Sequence, residues 1–189
     1  MRAMPIGHAW MRFGFGGILA AVGLVALHSL ALAAGEEAAE DCEQAPEVVA
    51  VSDVPSGLVS DLIGWIALNT DYDVSLVYHE PPLITFCEVG DLVPYEDVDL
   101  LVEPALRAAY DLRVRRIHLV EPWSPDEPFD VSVLLHELIH DVQLANREWE
   151  CVNAPEFEAY WLQDRWLSER GVRVEFNWVA IARHSLCPE

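Results

Sequence analysis

Apolar residues recur at helical spacing in two stretches of the second half of the chain. The first stretch runs from Asp130, a residue type that often caps helix N-termini, to Asn146. Its apolar stripe consists of Val131, Leu134, Leu135, Leu138, Val142 and Leu144. The second stretch begins at Pro155, which suits a first helical turn, and runs to Arg170, with Gly171 as a natural C-terminal cap. The pattern therefore predicts two long helices joined by a short loop.

Shorter patterns precede these helices. Residues 56–68 place leucine and isoleucine at helical spacing and predict a first amphipathic helix. Residues 74–78 and 83–89 are rich in β-branched and aromatic side chains and are predicted to be short strands, separated by Pro81 and Pro82. These segments add strands to what would otherwise be a helical protein.

Three further segments complete the predicted order. Residues 100–110 resemble another short helix, and residues 113–120 alternate polar and apolar positions in the manner of a half-buried strand. Residues 174–184 are compatible with a helix or a strand. Helices and strands are thus mixed along the chain, and the predicted fold class is α+β.

Residues 1–33 have the pattern of a secretory signal peptide. Arg2 and Arg12 precede an uncharged apolar run that lasts until Glu36, and Ala31-Leu32-Ala33 has the small-residue form of a cleavage site. The run of about 20 residues is also long enough to span a bilayer, so an uncleaved membrane anchor is the alternative. Both interpretations predict export of the remaining chain, to the periplasm or the medium.

The exported part divides into a leader and one domain. Residues 34–47 are acidic and alanine-rich and are predicted to be a flexible leader, whereas residues 48–189 are long enough to bury a single core. The chain has 32 acidic residues and 11 basic residues, a formal net charge of −21. Such a surface repels phosphate backbones and anionic lipid headgroups, so nucleic acid and membrane surfaces are excluded as expected partners.

Four cysteines lie in the exported part. An even number in an oxidising compartment predicts two disulfides, and Cys42, Cys87, Cys151 and Cys187 allow three pairings. We expect Cys151 to pair with Cys187, because the carboxy-terminal tail needs a covalent attachment to stay in place.

The first long helix carries the sequence HELIH at residues 136–140. Positions four apart lie on one helix face, so His136 and His140 can bind one metal ion without a change in the backbone. Glu137 points to the neighbouring side, where it can act as a general base toward water. In zinc hydrolases the metal lowers the pKa of that water, the glutamate accepts its proton, and the resulting hydroxide attacks a carbonyl.

The HELIH helix followed by a helix that begins EFEAY resembles the small gluzincins, zinc peptidases that take a third ligand, a glutamate, from the second helix. The resemblance covers residues 130–171 and implies that Glu156 is this ligand. Glu158 is the alternative, because residues two apart on a helix face different directions. The resemblance also implies that Tyr160 occupies the position where these peptidases often carry an aspartate that supports the metal site.

Two residues depart from the gluzincin pattern. Asp141 follows the second histidine where these peptidases usually have an uncharged residue, and Tyr160 cannot accept a proton from a histidine as a carboxylate does. The residue that stabilises the oxyanion is open between His79, His118, His184 and Tyr110. Trp149, Trp161, Trp166 and Trp178 are interpreted as packing residues in preference to a carbohydrate platform.

The strand that contains His118 precedes the HELIH helix, as the edge strand of the active site does in zincins. A peptide substrate could therefore add to the sheet along it. We accordingly predict a zincin-like metallopeptidase that binds one Zn²⁺ and acts on a peptide or protein. A zinc-binding module without catalysis is the main alternative. An iron enzyme with the same ligand types is less well supported, because its triad usually comes from strands.

Overall fold

The computed structural model describes residues 54, 55 and 57–188. The predicted signal peptide and acidic leader lie outside these residues. Within them, helices and strands alternate irregularly, which confirms a mixed α+β architecture. The elements in chain order are α1 (Leu58–Asn69), α2 (Ser75–His79), β1 (Leu83–Cys87), β2 (Leu92–Tyr95), β3 (Val98–Leu101), β4 (Ala108–Asp111), β5 (Arg116–Val120), α3 (Pro128–Asn146), α4 (Glu156–Glu169) and α5 (Trp178–His184).

The strands form two separate sheets. A three-stranded sheet has the order β1-β5-β4, in which β5 is parallel to β1 and antiparallel to β4. The hairpin of β2 and β3 forms the second, two-stranded sheet. The prediction that the strand of His118 is an edge strand is therefore wrong, because this residue lies on the central strand β5. The edge strand on the side of α3 is β4, which packs against that helix.

Helix α3 is the centre of the core. Every residue from Val131 to Gln143 is buried, because α3 packs against α1, α2, α4, β4 and β5. The predicted stripe is buried except for its last residue, Leu144, which is 38% exposed. A helix enclosed on all sides can hold polar side chains in a dry interior, provided that those side chains find partners.

The predicted cap of α3 is wrong. Glu127 occupies the N-cap position and Pro128 begins the helix, because proline has no N–H to leave unsatisfied in the first turn. Asp130 lies inside that first turn. Its Oδ2 accepts a hydrogen bond from the Ser124 N–H at 3.0 Å, and its Oδ1 accepts one from Arg107 at 3.0 Å.

Helix α4 ends next to Gly171, as predicted. Arg170 is the C-cap, and Gly171 follows it with φ of 73°, a conformation that glycine adopts without steric cost. The Val172 N–H then donates to the Leu167 carbonyl at 3.0 Å, which satisfies an end group of the helix. The loop before α4 is tied to the tail after α5 by a disulfide.

This disulfide joins Cys151 to Cys187, which confirms the expected pairing. Cys87 is buried and forms no disulfide within the described part of the chain. Cys42 lies outside that part, so the second disulfide stays a prediction. Among the described helices, none combines the length and the apolar character that crossing a bilayer requires.

Two secondary-structure predictions are wrong. Residues 74–78, predicted as a strand, lie mostly in α2, where the Asp73 side chain accepts from the Ser75 N–H at 2.9 Å and Val77 is buried. Residues 100–110, predicted as a helix, contain the end of β3 and most of β4. Pro104 interrupts any helix there, and both strands depend on partners outside their own segment. The open segment 174–184 forms α5 from Trp178 onward.

Candidate metal centre

Helices α3 and α4 pack together and bring three potential ligands to one point. His140 Nε2 lies 3.0 Å from His136 Nε2, and it lies 3.2 Å from Glu156 Oε1. His136 Nε2 lies 3.4 Å from the other oxygen of Glu156. One atom from each residue falls within 4.8 Å of the other two, so the three form a group that can hold a single ion.

This group is enclosed. His136, His140 and Glu156 are all buried, and no more than 8% of any of them is exposed. Burial acts to raise the pKa of the Glu156 carboxyl, but the two imidazoles outweigh it and hold that pKa below its usual range. Burial acts to lower the pKa of His140, but the Glu156 carboxylate outweighs it and raises that pKa to about 9. The pocket thus attracts positive charge, which a proton or a metal ion can supply.

The outer nitrogens of the two imidazoles contact glutamine side chains. His136 Nδ1 lies 3.1 Å from Gln163 Oε1, and His140 Nδ1 lies 3.0 Å from Gln143 Oε1. Both glutamines are fully buried. Neither glutamine was predicted from the sequence to belong to the site. Their spacing could have indicated that they lie on the same helix faces as the ligands. Gln163 lies two helical turns after Glu156, and Gln143 lies three residues after His140.

Glu137 lies beside the group but is not part of it. Its side chain is buried and lines the same cleft as the two histidines. Burial raises the pKa of this carboxyl, the imidazoles of His136 and His140 oppose the change, and Glu156 adds to it. Glu137 is therefore a carboxyl that holds a proton more firmly than a solvated glutamate does.

The alternative ligand Glu158 points elsewhere. Its Oε2 accepts a hydrogen bond from the Tyr72 hydroxyl at 2.6 Å and one from Gln143 Nε2 at 2.9 Å. Arg147 lies 3.6 Å from the same oxygen. The two glutamates of EFEAY thus have different surroundings. Glu156 faces the two imidazoles, whereas Glu158 faces Gln143, whose side-chain oxygen contacts His140.

The two departures from the gluzincin pattern have structural explanations. Asp141 points away from the imidazoles and accepts hydrogen bonds from Tyr110 and Arg115, so its charge is matched within the protein. Tyr160 does not bind an imidazole nitrogen. Its ring packs edge-on against His136 with centroids 4.5 Å apart, and Gln163 holds the nitrogen instead.

The other candidate histidines lie away from the centre. His118 is buried and its Nδ1 lies 3.0 Å from the Thr85 hydroxyl, and burial lowers its pKa to about 4. His79 and His184 are exposed and do not line the cleft. Tyr110 does line it, but its hydroxyl donates to Asp141. None of the four candidates therefore offers a free donor beside the group.

The tryptophans predicted to be packing residues differ in exposure. Trp166 is buried, with the Arg170 guanidinium 3.5 Å from its ring centroid, and Trp178 packs against the core. The Trp149 N–H donates to the Gln143 carbonyl at 3.4 Å. Trp161 is half exposed on α4.

A cleft opens over the three ligands. We call it the site cleft; its lining includes Leu106, Ala108, Tyr110, Leu144, Val152 and Tyr160. Edge strand β4, the C-terminal half of α3, the loop before α4 and the first turns of α4 all contribute to this lining. Apart from the ligands and Glu137, no charged side chain lines it in the described part of the chain. The chemistry of the cleft is thus concentrated at its base.

Fold and site together define an α+β protein with a buried His-His-Glu group at the base of an apolar cleft. The chain matches a protein family over residues 26–189, and it belongs to this family, described as Domain of unknown function (DUF6647). No curated protein matches the chain. No solved structure matches it either.

Proposed function

We propose that this protein is a zinc-dependent hydrolase of zincin-like fold, similar to the small gluzincins, that cleaves peptide bonds. The observation that carries the proposal is the convergence of two imidazole nitrogens and one carboxylate on a buried point beside a second carboxylate, Glu137. All four residues lie at the base of the site cleft.

The donor set fits zinc. Zinc accepts imidazole nitrogen and carboxylate oxygen, and catalytic zinc sites use three protein ligands and keep one position for water or substrate. Within the described residues, no fourth histidine, cysteine, aspartate or glutamate joins His136, His140 and Glu156. This favours a catalytic site over a closed structural one. Zinc bound there would act as a Lewis acid that polarises a carbonyl and makes water more acidic.

Glu137 would move the proton. A general base works best when its pKa lies near the working pH, and burial raises the pKa of this carboxyl toward that range. Its carboxylate oxygen would accept a proton from water and then give it to the amine that leaves. Glu137 lies next to His136 in sequence but outside the ligand group, which leaves both of its oxygens for this task.

Tyr160 would stabilise the developing oxyanion. Its ring packs against His136 at the site cleft, and within the described residues its hydroxyl makes no hydrogen bond, so the proton is available to a substrate oxygen. Tyr95 and Tyr110, the other tyrosines of the cleft, donate to the Tyr110 carbonyl and to Asp141. We therefore propose Tyr160 as the oxyanion-stabilising residue, in place of the four candidates considered from the sequence.

The substrate would be an extended peptide with apolar side chains near the cleaved bond. Edge strand β4 lies along the site cleft, and an extended peptide can add to such an edge through backbone hydrogen bonds. Leu106, Leu144 and Val152 provide apolar contacts there. We also propose that the protein is exported. The Cys151–Cys187 disulfide is the kind of bond that an oxidising compartment maintains.

Replacement of Glu137 by glutamine tests the proposal. The variant should keep about one equivalent of zinc, because the three ligands are intact, and should lose hydrolysis of a peptide mixture by about 10²–10⁴-fold. Zinc is measured by elemental analysis of untagged protein, and cleavage by mass spectrometry. Glu148→Gln, the same change at an exposed position of the following loop, is the matched control and should retain both properties.

Two results would oppose the proposal. If wild-type protein binds zinc but cleaves nothing, the protein is a binding module. If Glu137→Gln cleaves as fast as wild type, the glutamate is not the general base.

A further inference from the structure

Two chains of hydrogen bonds lie behind the imidazoles and fix which nitrogen of each ring carries its proton. They pass through Gln163 and Gln143, both fully buried. A buried amide that lacked partners would be costly, and each of these two has partners for its oxygen and its nitrogen. Each chain contains a group that can only accept a hydrogen bond, or one that has a single proton to donate. Such a group fixes which atom donates and which accepts in every bond of its chain.

The chain through Gln163 begins at a backbone carbonyl. The Ser132 hydroxyl donates its single proton to the Phe129 carbonyl at 2.6 Å. Ser132 Oγ can therefore only accept from Gln163 Nε2, which lies 3.0 Å away. This orients the amide, so that Gln163 Oε1 faces His136 Nδ1 at 3.1 Å. Because an amide oxygen has no proton, His136 must donate from Nδ1.

The chain through Gln143 is fixed by a backbone carbonyl. Gln143 Nε2 lies 3.2 Å from the Pro155 carbonyl and 2.9 Å from Glu158 Oε2. A backbone carbonyl has no proton and only accepts, so the NH₂ group must face the Pro155 carbonyl. Gln143 Oε1 then faces His140 Nδ1 at 3.0 Å, and His140 must also donate from Nδ1.

We propose that Gln143 and Gln163 are positioning residues that keep the Nδ1 proton on each imidazole and direct both Nε2 lone pairs toward one metal ion. The proposal rests on the proposed metal centre and assigns roles that the ligand set alone does not. With both protons on Nδ1, the pocket base presents two nitrogen lone pairs 3.0 Å apart and a carboxylate. Groups of this kind repel one another unless a cation lies between them.

The two glutamines also couple the ligands to the packing of the helices. Gln143 lies on α3 and binds the Pro155 carbonyl and Glu158 at the start of α4. Gln163 lies on α4 and binds Ser132 on α3. Each imidazole is therefore oriented through a bond that crosses the interface between α3 and α4. Histidine ligands of zinc are commonly supported by carboxylates, and here neutral amides occupy that place.

The test uses Gln163→Met, which keeps the length of the side chain and removes its hydrogen bonds. Zinc affinity, measured by competition with a chelator, should fall about 10- to 100-fold. Gln163→Glu should recover most of this loss, because a carboxylate oxygen can accept from His136 Nδ1 and the Ser132 hydroxyl can turn toward the other oxygen. Gln143→Met should weaken zinc binding similarly.

The control is Leu162→Ala, which loosens α4 at a fully buried neighbour that makes no hydrogen bond to the site. It should lower stability and leave zinc affinity within a few-fold of wild type. A purely structural role for Gln163 would make Leu162→Ala and Gln163→Met alike in zinc affinity, and Gln163→Glu would then give no recovery. That result would overturn the assignment.

Nitrogen-15 NMR of histidine-labelled protein gives a readout that does not depend on activity. In cadmium-loaded wild type, ¹¹³Cd should couple to Nε2 of both imidazoles, and both Nδ1 protons should exchange slowly. In Gln163→Met, the His136 proton should exchange fast while that of His140 stays protected. Coupling to Nδ1 of either histidine in wild type would overturn the inference.

The same spectra separate this inference from the proposed centre. If wild-type protein takes up neither zinc nor cadmium, the metal centre is wrong, but the proton positions can still be determined in the metal-free protein. A proton on Nδ1 of both rings would support the role of the glutamines. A neutral ring protonated only at Nε2 would exclude it.

Discussion

Helix α3 carries two buried polar clusters whose charges are balanced in different ways. In the first, Asp141 accepts hydrogen bonds from the Tyr110 hydroxyl and from Arg115, whose Nη2 lies 2.8 Å from Asp141 Oδ2. In the second, His136, His140 and Glu156 direct only nitrogens and carboxylate oxygens at one another. The two clusters are adjacent in the sequence, because Asp141 directly follows His140.

The difference indicates what each cluster does. Asp141 has a donor for both of its oxygens, so this cluster is complete and serves to hold the β4–β5 hairpin on α3. The histidine cluster has an excess of acceptors and raises the pKa of His140 to about 9, chiefly because the Glu156 carboxylate overcomes the opposing effect of burial. This cluster is balanced by positive charge, which a proton or a metal ion can supply. The Asp141 cluster is therefore structural, and the histidine cluster is the candidate site.

The largest expected effect comes from loss of a ligand. His140→Ala should weaken zinc binding by on the order of 1,000-fold, about 4 kcal/mol, because two protein ligands remain where catalytic zinc needs three. Chelator competition measures this change. His79→Ala, which removes an exposed histidine away from the cleft, should leave zinc affinity unchanged. If both variants bind zinc as wild type does, the ion lies elsewhere.

Loss of Asp141 should affect stability and not zinc. Asp141→Asn should lower the free energy of unfolding by about 3 kcal/mol, the lower end for a broken buried ion pair, because Arg115 stays 30% exposed and can reach water. Urea unfolding measures this loss. Asp97→Asn, which breaks an exposed ion pair with Arg113, should have little effect. A large loss of zinc affinity in folded Asp141→Asn would contradict the division between the clusters.

The smallest effect concerns His118, a buried imidazole whose Nδ1 lies 3.0 Å from the Thr85 hydroxyl. Burial first, and then Arg116, lower its pKa from 6.5 to about 4. A lowered histidine pKa means that the unfolded chain binds the proton more readily, so stability falls as pH drops from 6.5 toward 4. Between pH 7 and pH 5 the loss should be roughly 2 kcal/mol.

Urea unfolding at the two pH values measures it, with His118→Gln as the control that removes the titrating group. The variant should lose less stability over the same interval. Equal losses in both proteins would show that His118 does not contribute.

Prediction from sequence succeeded for the features that neighbouring residues determine. The apolar spacing of α3, Pro155 before α4, and the HELIH motif are local, and each lies where the pattern indicated. Helix geometry places His136 and His140 on one face of α3, and the packing of α4 against that face brings Glu156 to them. The metal itself stays a proposal.

Features that depend on distant partners were not predictable in the same way. β4 is a strand because it pairs with β5, and residues 100–110 alone have no pattern that reveals this pairing. The place of β5 between β1 and β4 is equally non-local. Gln143 and Gln163 look like ordinary polar residues in sequence, because their role depends on the contact between two helices. The capping role expected of Asp130 failed for a local reason, the preference of Pro128 for the first turn.

X-ray absorption spectroscopy of the protein loaded with one equivalent of zinc tests the central claim most directly. We expect two imidazole nitrogens at about 2.0–2.1 Å from zinc together with oxygen ligands. The imidazole signal should be lost in a variant with both His136 and His140 replaced by alanine. Failure to take up zinc, sulfur scattering at about 2.3 Å, or an unchanged spectrum in the double variant would contradict it.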